Sequence, residues 1–274
     1  GGARGFAHLG IWRALQEQGT PIDFVGGTSI GGVMAAFIAA DQPLDRAMDV
    51  ARRAFAVNPT GDFNLVPLLS LIKGERLRRI IDRAVIDLLG FDADIEDLWK
   101  NYYCVATNYS QACEQVLRRG RLAKLLRAGL SIPGALPPVL HQGDLLCDGG
   151  TFNNFPVDVM QGVRGVGRVI GVDLHAFKPR RYKMDEVPGP WALLRDRLRP
   201  RRQRRYRLPG LAAYLMNVTI LYSTSRQRQA KRLTQMYFNP PLERVGLLEW
   251  GKFEQTVKQG YEHGLKVLSA PAAP

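Results

Sequence analysis

The chain has 274 residues, 38 Lys and Arg against 25 Asp and Glu, a formal charge of +13 and 46% hydrophobic residues. Such a composition supports a sizeable core and excludes a wholly disordered chain, while the length fits one α/β domain or two small ones. Three cysteines are too few, and odd in number, for a disulfide framework and favour a reducing compartment. No run reaches the roughly 18 apolar residues that a membrane-spanning helix needs; the longest, residues 30–40 and 211–222, are too short and hold Gly, Asn or Thr. The opening Gly1-Gly2 shows no signal-peptide pattern and reads as the start of an excised piece.

In chain order, Ile11, Ala14 and Leu15 keep helical spacing in a helix that Gly19 can end. Residues 22–25 form a short apolar strand leading into Gly26-Gly27-Thr28-Ser29-Ile30-Gly31, and a small-residue helix over 32–40 follows. Leu77, Ile80, Ile81, Ala84, Val85 and Leu88 repeat at i, i+3, i+4, with Gly90 placed to close that helix. Residues 102–107 and 168–174 read as buried strands, and 145–147 as a third strand running into Asp148-Gly149-Gly150. Strands separated by helices predict an α/β fold with a mostly parallel central sheet flanked by helices on both faces. The composition changes near Lys178: eight arginines lie between Arg195 and Arg207, broken by Pro188, Pro190, Pro200 and Pro209. The apolar run 211–222, a basic stretch from Arg226 to Arg232 and a closing helix over 249–268 complete the chain.

Three motifs carry chemistry. Gly27-Thr28-Ser29-Ile30-Gly31 is a Gly-x-Ser-x-Gly between a predicted strand and a predicted helix. Its glycines permit a sharp turn that exposes the Ser29 hydroxyl and aims a helix N-terminus, with its unpaired N–H groups, at a developing oxyanion. Gly1-Gly2-Ala3-Arg4-Gly5 presents backbone donors just before a helix, suited to an oxyanion hole or a phosphate cradle. A dinucleotide site is the rival, but the acidic residue at the matching distance, Asp23, precedes the strand leading to Ser29 instead of ending a second one. In Asp148-Gly149-Gly150 a carboxylate at a strand end could act as a base toward a hydroxyl; an ordinary Asp-Gly turn is the plainer reading. His175 and His263 follow Asp148 and keep a Ser-His-Asp triad open, while His8 and His141 read as packing or surface residues. Neither the histidines nor Cys104, Cys113 and Cys147 show metal-ligand spacing; the cysteines read as small core residues on strands. No nucleic-acid recognition motif is present, although a non-catalytic nucleotide, nucleic-acid or lipid-binding module remains the alternative class.

Together these motifs resemble the patatin-like phospholipases, and the phrases Pro21 to Ser29, Ser131-Ile132-Pro133-Gly134, Asp148 to Pro156 and Trp250-Gly251-Lys252-Phe253 resemble the neuropathy target esterase branch, a group with bacterial-type lysophospholipases. The resemblance implies a three-layer α/β sandwich whose first strand lies before Gly1. It implies a Ser29–Asp148 dyad without a histidine, and an oxyanion hole from the Gly1 and Gly2 amides. Arg4, Gly5, Gly27, Gly31, Gly149 and Gly150 are implied as supporting residues. No cofactor and no metal are implied, and the substrate is a phospholipid or lysophospholipid cleaved at its acyl ester.

The expected organisation is a catalytic core over 1–178, a basic and apolar insertion or lid over 179–248, and a closing helix with tail over 249–274. Residues 1–177 hold 18 basic and 18 acidic residues, whereas 178–274 hold 20 and 7, so the whole excess lies in the last third. With Arg195 to Arg207 and the apolar run beside them, this predicts peripheral attachment to an anionic membrane surface on its cytoplasmic side, with no nucleic-acid partner; a solvated loop and an ordinary buried helix are the plainer readings of the two segments.

Overall fold

A computed structural model describes residues 1–174, 181–182, 184–206 and 208–270. The chain forms α1 (Ala7–Glu17), β1 (Phe24–Thr28), α2 (Ile30–Ala39), α3 (Leu44–Phe55), α4 (Glu75–Leu89), β2 (Asn101–Asn108), β3 (Cys113–Leu117), α5 (Leu122–Leu130), β4 (Val139–His141), β5 (Asp144–Asp148) and α6 (Val157–Gln161). Then come β6 (Ile170–Val172), α7 (Pro190–Arg197), α8 (Leu211–Thr219), α9 (Leu221–Lys231), β7 (Met236–Phe238) and α10 (Phe253–Leu268).

β2 is the spine. Its residues 102–108 are buried, as a Tyr-, Val- and Thr-rich strand covered on both faces should be. On one face the Tyr102 hydroxyl donates to the Gly32 carbonyl of α2, and Cys104 lies against Leu125 of α5. On the other, the Tyr103 hydroxyl donates to the carbonyl of Pro156, beside α6. Helices therefore flank both faces, with α3 and α4 behind the first layer. α3 was not anticipated by the sequence reading, although Ala47, Val50, Ala51 and Phe55 bury one of its faces at helical spacing.

The sheet is mixed, which corrects the expectation of a mostly parallel one. β1 runs parallel to β2, but β3 and β5 pair antiparallel with β2, and β4 antiparallel with β5; β6 and β7 form a separate parallel pair. The cause is local. β4 and β5 are joined by Gln142-Gly143 alone, with φ of 52° and 87°, a turn that reverses the chain in register. β2 and β3 are joined by residues 109–112, with Ala112 at φ 52°. Connections this short permit only antiparallel neighbours. Cys113 is likewise exposed on β3, whereas Cys104 and Cys147 are buried. The run 211–222 is divided between α8 and α9, with Ile220 at the break.

The register positions the site. Val105 pairs with Thr28 of β1 on one edge and Val116 of β3 on the other, while Ala106 pairs with Asp148 of β5 and Gln115 of β3. β1 and β5 thus share one edge of β2 and approach each other from opposite directions, so their carboxyl ends meet. The edge of β1 away from β2 instead borders a cavity of about 820 Å³ that β6 also lines.

α10 closes the fold against α1 through glycine contacts. A Cβ at Gly10 would stand 2.0 Å from the Val257 carbonyl oxygen, and one at Gly260 would stand 2.2 Å from the Ala7 carbonyl oxygen. Phe6, Phe55, Trp250 and Phe253 form one aromatic cluster, with Trp250 stacked on Phe55 at 5.5 Å and Phe6 against Phe253 at 4.7 Å. Gly10→Ala and Gly260→Ala should each destabilise the protein by about 3 kcal/mol, because backbone cannot yield as a side chain does. Gly251→Ala, where a Cβ meets open space, should cost less than about 0.5 kcal/mol. Thermal unfolding of the three variants checks the difference.

Candidate active site

Ser29 lies between β1 and α2 with φ 55° and ψ −134°, a conformation that costs a non-glycine residue about 1–3 kcal/mol. This bend turns the chain from strand directly into helix, the Ser29 carbonyl accepting from Gly32 N at 2.9 Å. It also sets the hydroxyl at the positive end of α2. Gly27 makes room: a Cβ there would lie 2.5 Å from the Gly31 carbonyl carbon. Gly31 is the less demanding of the motif's two glycines, since its Cβ would make an ordinary 3.5 Å contact with His8 Nε2.

Asp148 ends β5 and is buried. Its Oδ2 accepts the Ser29 hydroxyl at 2.6 Å and its Oδ1 accepts Gly150 N at 2.8 Å. The backbone is held as firmly: Asp148 N donates to the Ser131 carbonyl at 2.9 Å, and Thr107 Oγ1 donates to the Asp148 carbonyl at 2.9 Å. Gly149 is required by contact, because a Cβ would lie 2.3 Å from the Val105 carbonyl oxygen. Burial raises the Asp148 carboxyl above its ordinary range, and the hydrogen bonds from Ser29 and Gly150 pull it partly back.

The first five residues press against this elbow. A Cβ at Gly1 would stand 4.0 Å from Ser29 Oγ, and one at Gly5 would stand 2.3 Å from Ile30 Cγ1. Gly2 has φ 61° and packs on the Leu247 carbonyl, which accepts Ala3 N at 2.9 Å. Arg4 Nε donates to the Val245 carbonyl at 2.8 Å, so this guanidinium pins the glycine-rich turn to a distant loop. Gly1, Gly2, Arg4, Gly5, Gly27, Ser29, Gly31, Asp148, Gly149 and Gly150 are therefore gathered in one neighbourhood.

None of the described histidines is hydrogen-bonded to the serine–carboxylate pair. His8 is pushed down to about 4, first by burial, and lies beside Gly31. His263 Nε2 accepts Asn239 N at 3.0 Å, with its ring against Phe238. His141 ends β4, and His175 lies outside the described residues. Among the described residues no histidine bonds Ser29 or Asp148, and no group of three His, Cys, Asp or Glu side chains is placed to hold a metal.

Several supports escaped the sequence reading. Thr28 Oγ1 donates to the Asn153 carbonyl at 2.6 Å, tying the elbow to the loop after Asp148. Thr107 and Ser131 hold the Asp148 backbone. Thr28 and Ser131 fall within the phrases that carry the family resemblance, but their partners are disclosed only by the fold. The large cavity touches Gly27, Thr28, Ile30 and Gly31, but neither Ser29 nor Asp148 lines it.

A strained serine between strand and helix, bonded to a buried carboxylate within a mixed α/β fold, has the geometry of a nucleophile elbow. Residues 1–160 match the family model described as patatin-like phospholipase, and the chain belongs to that family. It is 34% identical over 271 residues to the lysophospholipase NTE1 of Kluyveromyces lactis, covering 96% of this chain and 18% of that protein. It is also 32% identical over 279 residues to patatin-like phospholipase domain-containing protein 6 of Pongo abelii, covering 98% of this chain and 20% of that one. The chain thus spans about a fifth of the curated relatives it matches. The solved structure of VipD from Legionella pneumophila aligns over 98% of this chain and 65% of its own, at a TM-score of 0.48 and 16% identity, a likeness too remote to bear on the chemistry.

The strain at Ser29 gives a test of the elbow itself. Ser29→Gly should be more stable than Ser29→Ala by about 1 kcal/mol, since glycine adopts this backbone freely whereas alanine keeps the strain. Chemical denaturation of the two variants measures the gap; equal midpoints would refute a strained elbow.

Proposed function

We propose that this chain is the hydrolytic domain of a lipid acyl hydrolase that cleaves the acyl ester of phospholipids or lysophospholipids by way of a Ser29 ester. The 2.6 Å hydrogen bond from Ser29 Oγ to Asp148 Oδ2, made at a strained strand-to-helix elbow, carries the reading. The names of the relatives, a lysophospholipase and a patatin-like phospholipase protein, supply the substrate class.

In this mechanism Asp148 takes the Ser29 proton as Oγ bonds to the acyl carbon. The developing oxyanion is stabilised by backbone amides of the Gly1-Gly2 turn and by the positive end of α2. The tetrahedral adduct collapses, the carbon–oxygen bond to the glycerol moiety breaks, and the departing oxygen takes the proton from Asp148. Water then follows the same course: Asp148 accepts its proton, its oxygen bonds to the acyl carbon, and Ser29 leaves with the proton as the fatty acid is released. A carboxylate with an ordinary pKa near 4 is a weak base for this work. Burial strengthens Asp148 by disfavouring its charged form.

The basic third of the chain is read as the surface that docks on anionic headgroups. Asp196 Oδ1 and Oδ2 accept the backbone N–H groups of Arg205 and Tyr206 at 2.9 and 3.0 Å, folding the arginine-rich segment into a closed loop; Arg207 lies outside the described residues. Leu211, Tyr214, Leu215 and Val218 of α8 are exposed beside it. No helix among the described residues is long and apolar enough to cross a membrane. The division into a core over 1–178 and an insertion over 179–248 belongs to this proposal.

Ser29→Ala and Asp148→Asn should each lower hydrolysis of lysophosphatidylcholine by at least about 10³-fold, and Ser29→Ala should abolish fluorophosphonate labelling. Substantial turnover in either variant would overturn the dyad. The raised Asp148 pKa fixes two signs. Wild-type kcat/KM should fall on the acid side at a pH above the ordinary carboxylate range. Stability should behave as for any group with a raised folded-state pKa, the contribution being complete below the unfolded pKa and lost as pH rises through the folded one. Asp148→Asn should therefore raise Tm at neutral pH, with the gain disappearing in acid. For the docking surface, Arg202→Gln with Arg205→Gln should weaken sedimentation with phosphatidylglycerol-containing vesicles by about tenfold and leave sedimentation with phosphatidylcholine vesicles unchanged.

A further inference from the structure

Between α3 and α4 the chain makes a closed excursion that the reading of the active site does not use. Its base is fastened on both sides: Lys73 N donates to the Asp62 carbonyl at 2.7 Å and Asn64 N to the Leu71 carbonyl at 2.9 Å. Asn64 Nδ2 donates to the Ser70 carbonyl at 2.8 Å, and the buried Ser70 hydroxyl donates to the Ile72 carbonyl at 2.7 Å. Leu71 N and Ile72 N donate to the carbonyls of Gly134 and Ala135 at 2.9 and 3.0 Å, fixing the whole excursion to the turn that follows Ser131. Yet its tip faces water with large apolar groups. Leu65 is 95% exposed, Leu68 88% and Leu69 73%, with Phe63, Val66 and Leu71 also above half. Segment 63–72 contains no charged residue.

A cluster of this kind costs solubility unless something covers it. The surrounding charge indicates what that is. Lys73, Arg76 and Arg79 follow at once and are exposed, and none makes an ion pair among the described residues. Asp62 and Glu75 are the acids beside them; Asp62 accepts Arg76 N, and Glu75 is paired with Arg78. An apolar tip above a rim with three unpaired cations is complementary to a phospholipid surface, with acyl chains below and anionic headgroups at the level of the rim. A second copy of the chain fits less well, since a two-fold contact through this tip would bring the two basic rims together.

We infer that segment 63–71 is an interfacial loop whose Leu65, Val66, Leu68 and Leu69 side chains enter a phospholipid surface. The hydrogen-bonded base holds the tip in its exposed form before contact, so insertion loses little conformational entropy. The inference concerns attachment and holds whether or not Ser29 is the nucleophile.

The experiment is vesicle sedimentation with the full chain, using phosphatidylcholine alone and phosphatidylcholine mixed with phosphatidylglycerol. Leu65→Asp with Leu68→Asp should lower the partition coefficient by about 100-fold on both vesicles. Lys73→Gln with Arg79→Gln should lower it by about tenfold on the mixed vesicles only. Turnover of a water-soluble short-chain ester should stay at the wild-type level in both double variants, and Ser29→Ala should bind vesicles as wild type does, which separates attachment from catalysis. A polarity-sensitive fluorophore attached at L65C in a Cys113→Ser background should shift to the blue on either vesicle, a readout that survives if the aspartate variant fails to fold. Unchanged partitioning of the aspartate variant, or an unshifted fluorophore, overturns the proposal. So does a wild-type dimer in sedimentation velocity that the aspartate variant dissolves with no change in vesicle binding.

Discussion

The site depends on one strand having room for two partners along a single edge. β2 gives residues 101–105 of that edge to β1 and residues 106–108 to β5, and the two run toward each other. Ser29 follows directly on Thr28, and Asp148 is the last residue of β5, so residues 119 positions apart become neighbours across the junction. The other contacts secure that junction. Gly149 passes the Val105 carbonyl where no side chain fits, Thr107 holds the Asp148 carbonyl, and Thr28 reaches the Asn153 carbonyl. Each hydrogen bond is worth about 1 kcal/mol in net stability. Their larger effect is on position, because a shift of about 1 Å between nucleophile and base can cost orders of magnitude in rate.

In the proposed mechanism, the same junction lets a carboxylate take the part that histidine plays in a triad. A histidine titrates near neutrality unaided; a carboxylate must be made basic by its surroundings. Asp148 receives two hydrogen bonds that favour its charged form, and burial still prevails, leaving it raised. The balance is set by how few donors reach it. A further donor would return the carboxyl toward its ordinary range and make it a poorer base, while full isolation would keep it protonated. His8, the histidine beside Gly31, is itself held neutral by burial.

The parts of the site legible in the sequence are those in which a steric demand falls on consecutive residues. The elbow can be read because Gly27 must lie next to the chain reversal at Ser29, and the Asp-Gly step because Gly149 must follow directly on Asp148. What a residue meets across the fold left no such mark. Thr28, Thr107 and Ser131 are ordinary residues whose roles exist only in the register of β2 and β5. The sheet's mixed character was legible in principle at Gln142-Gly143, a two-residue hairpin signal, but alternation of strands and helices outweighed it. The apolar tip over 63–71 contains residue types that usually signify core; nothing local distinguishes a leucine facing the interior from one facing water. The α/β class and the positions of Ser29 and Asp148 were therefore accessible from short-range constraints, as was the basic character of the last third; the mixed sheet and the apolar tip were not.

In the proposed reading, the arginine-rich surface accounts for the charge excess of the last third. In that reading a net-neutral body joined to a strongly basic third keeps most of the attraction away from the chemistry, with Lys73, Arg76 and Arg79 as the local exception. Charge acts over the Debye length, about 8–10 Å at physiological salt, whereas burial of a leucine acts only at contact. In the proposed reading, arginines around Asp196 and cations at the rim of the apolar tip bring the protein to an anionic surface, and the tip then holds it there. The apolar tip is fastened beside Asp148. Segment 63–72 is bonded to the carbonyls of Gly134 and Ala135, in the loop whose Ser131 carbonyl receives Asp148 N. Tyr222 of α9 packs edge-on against Phe152, four residues beyond Asp148. In the proposed reading, a lipid held by the apolar tip lies beside the loop that fixes Asp148. Under that proposal the path from attachment to chemistry is short, because the loop that would meet lipid is fastened to the one that fixes the carboxylate.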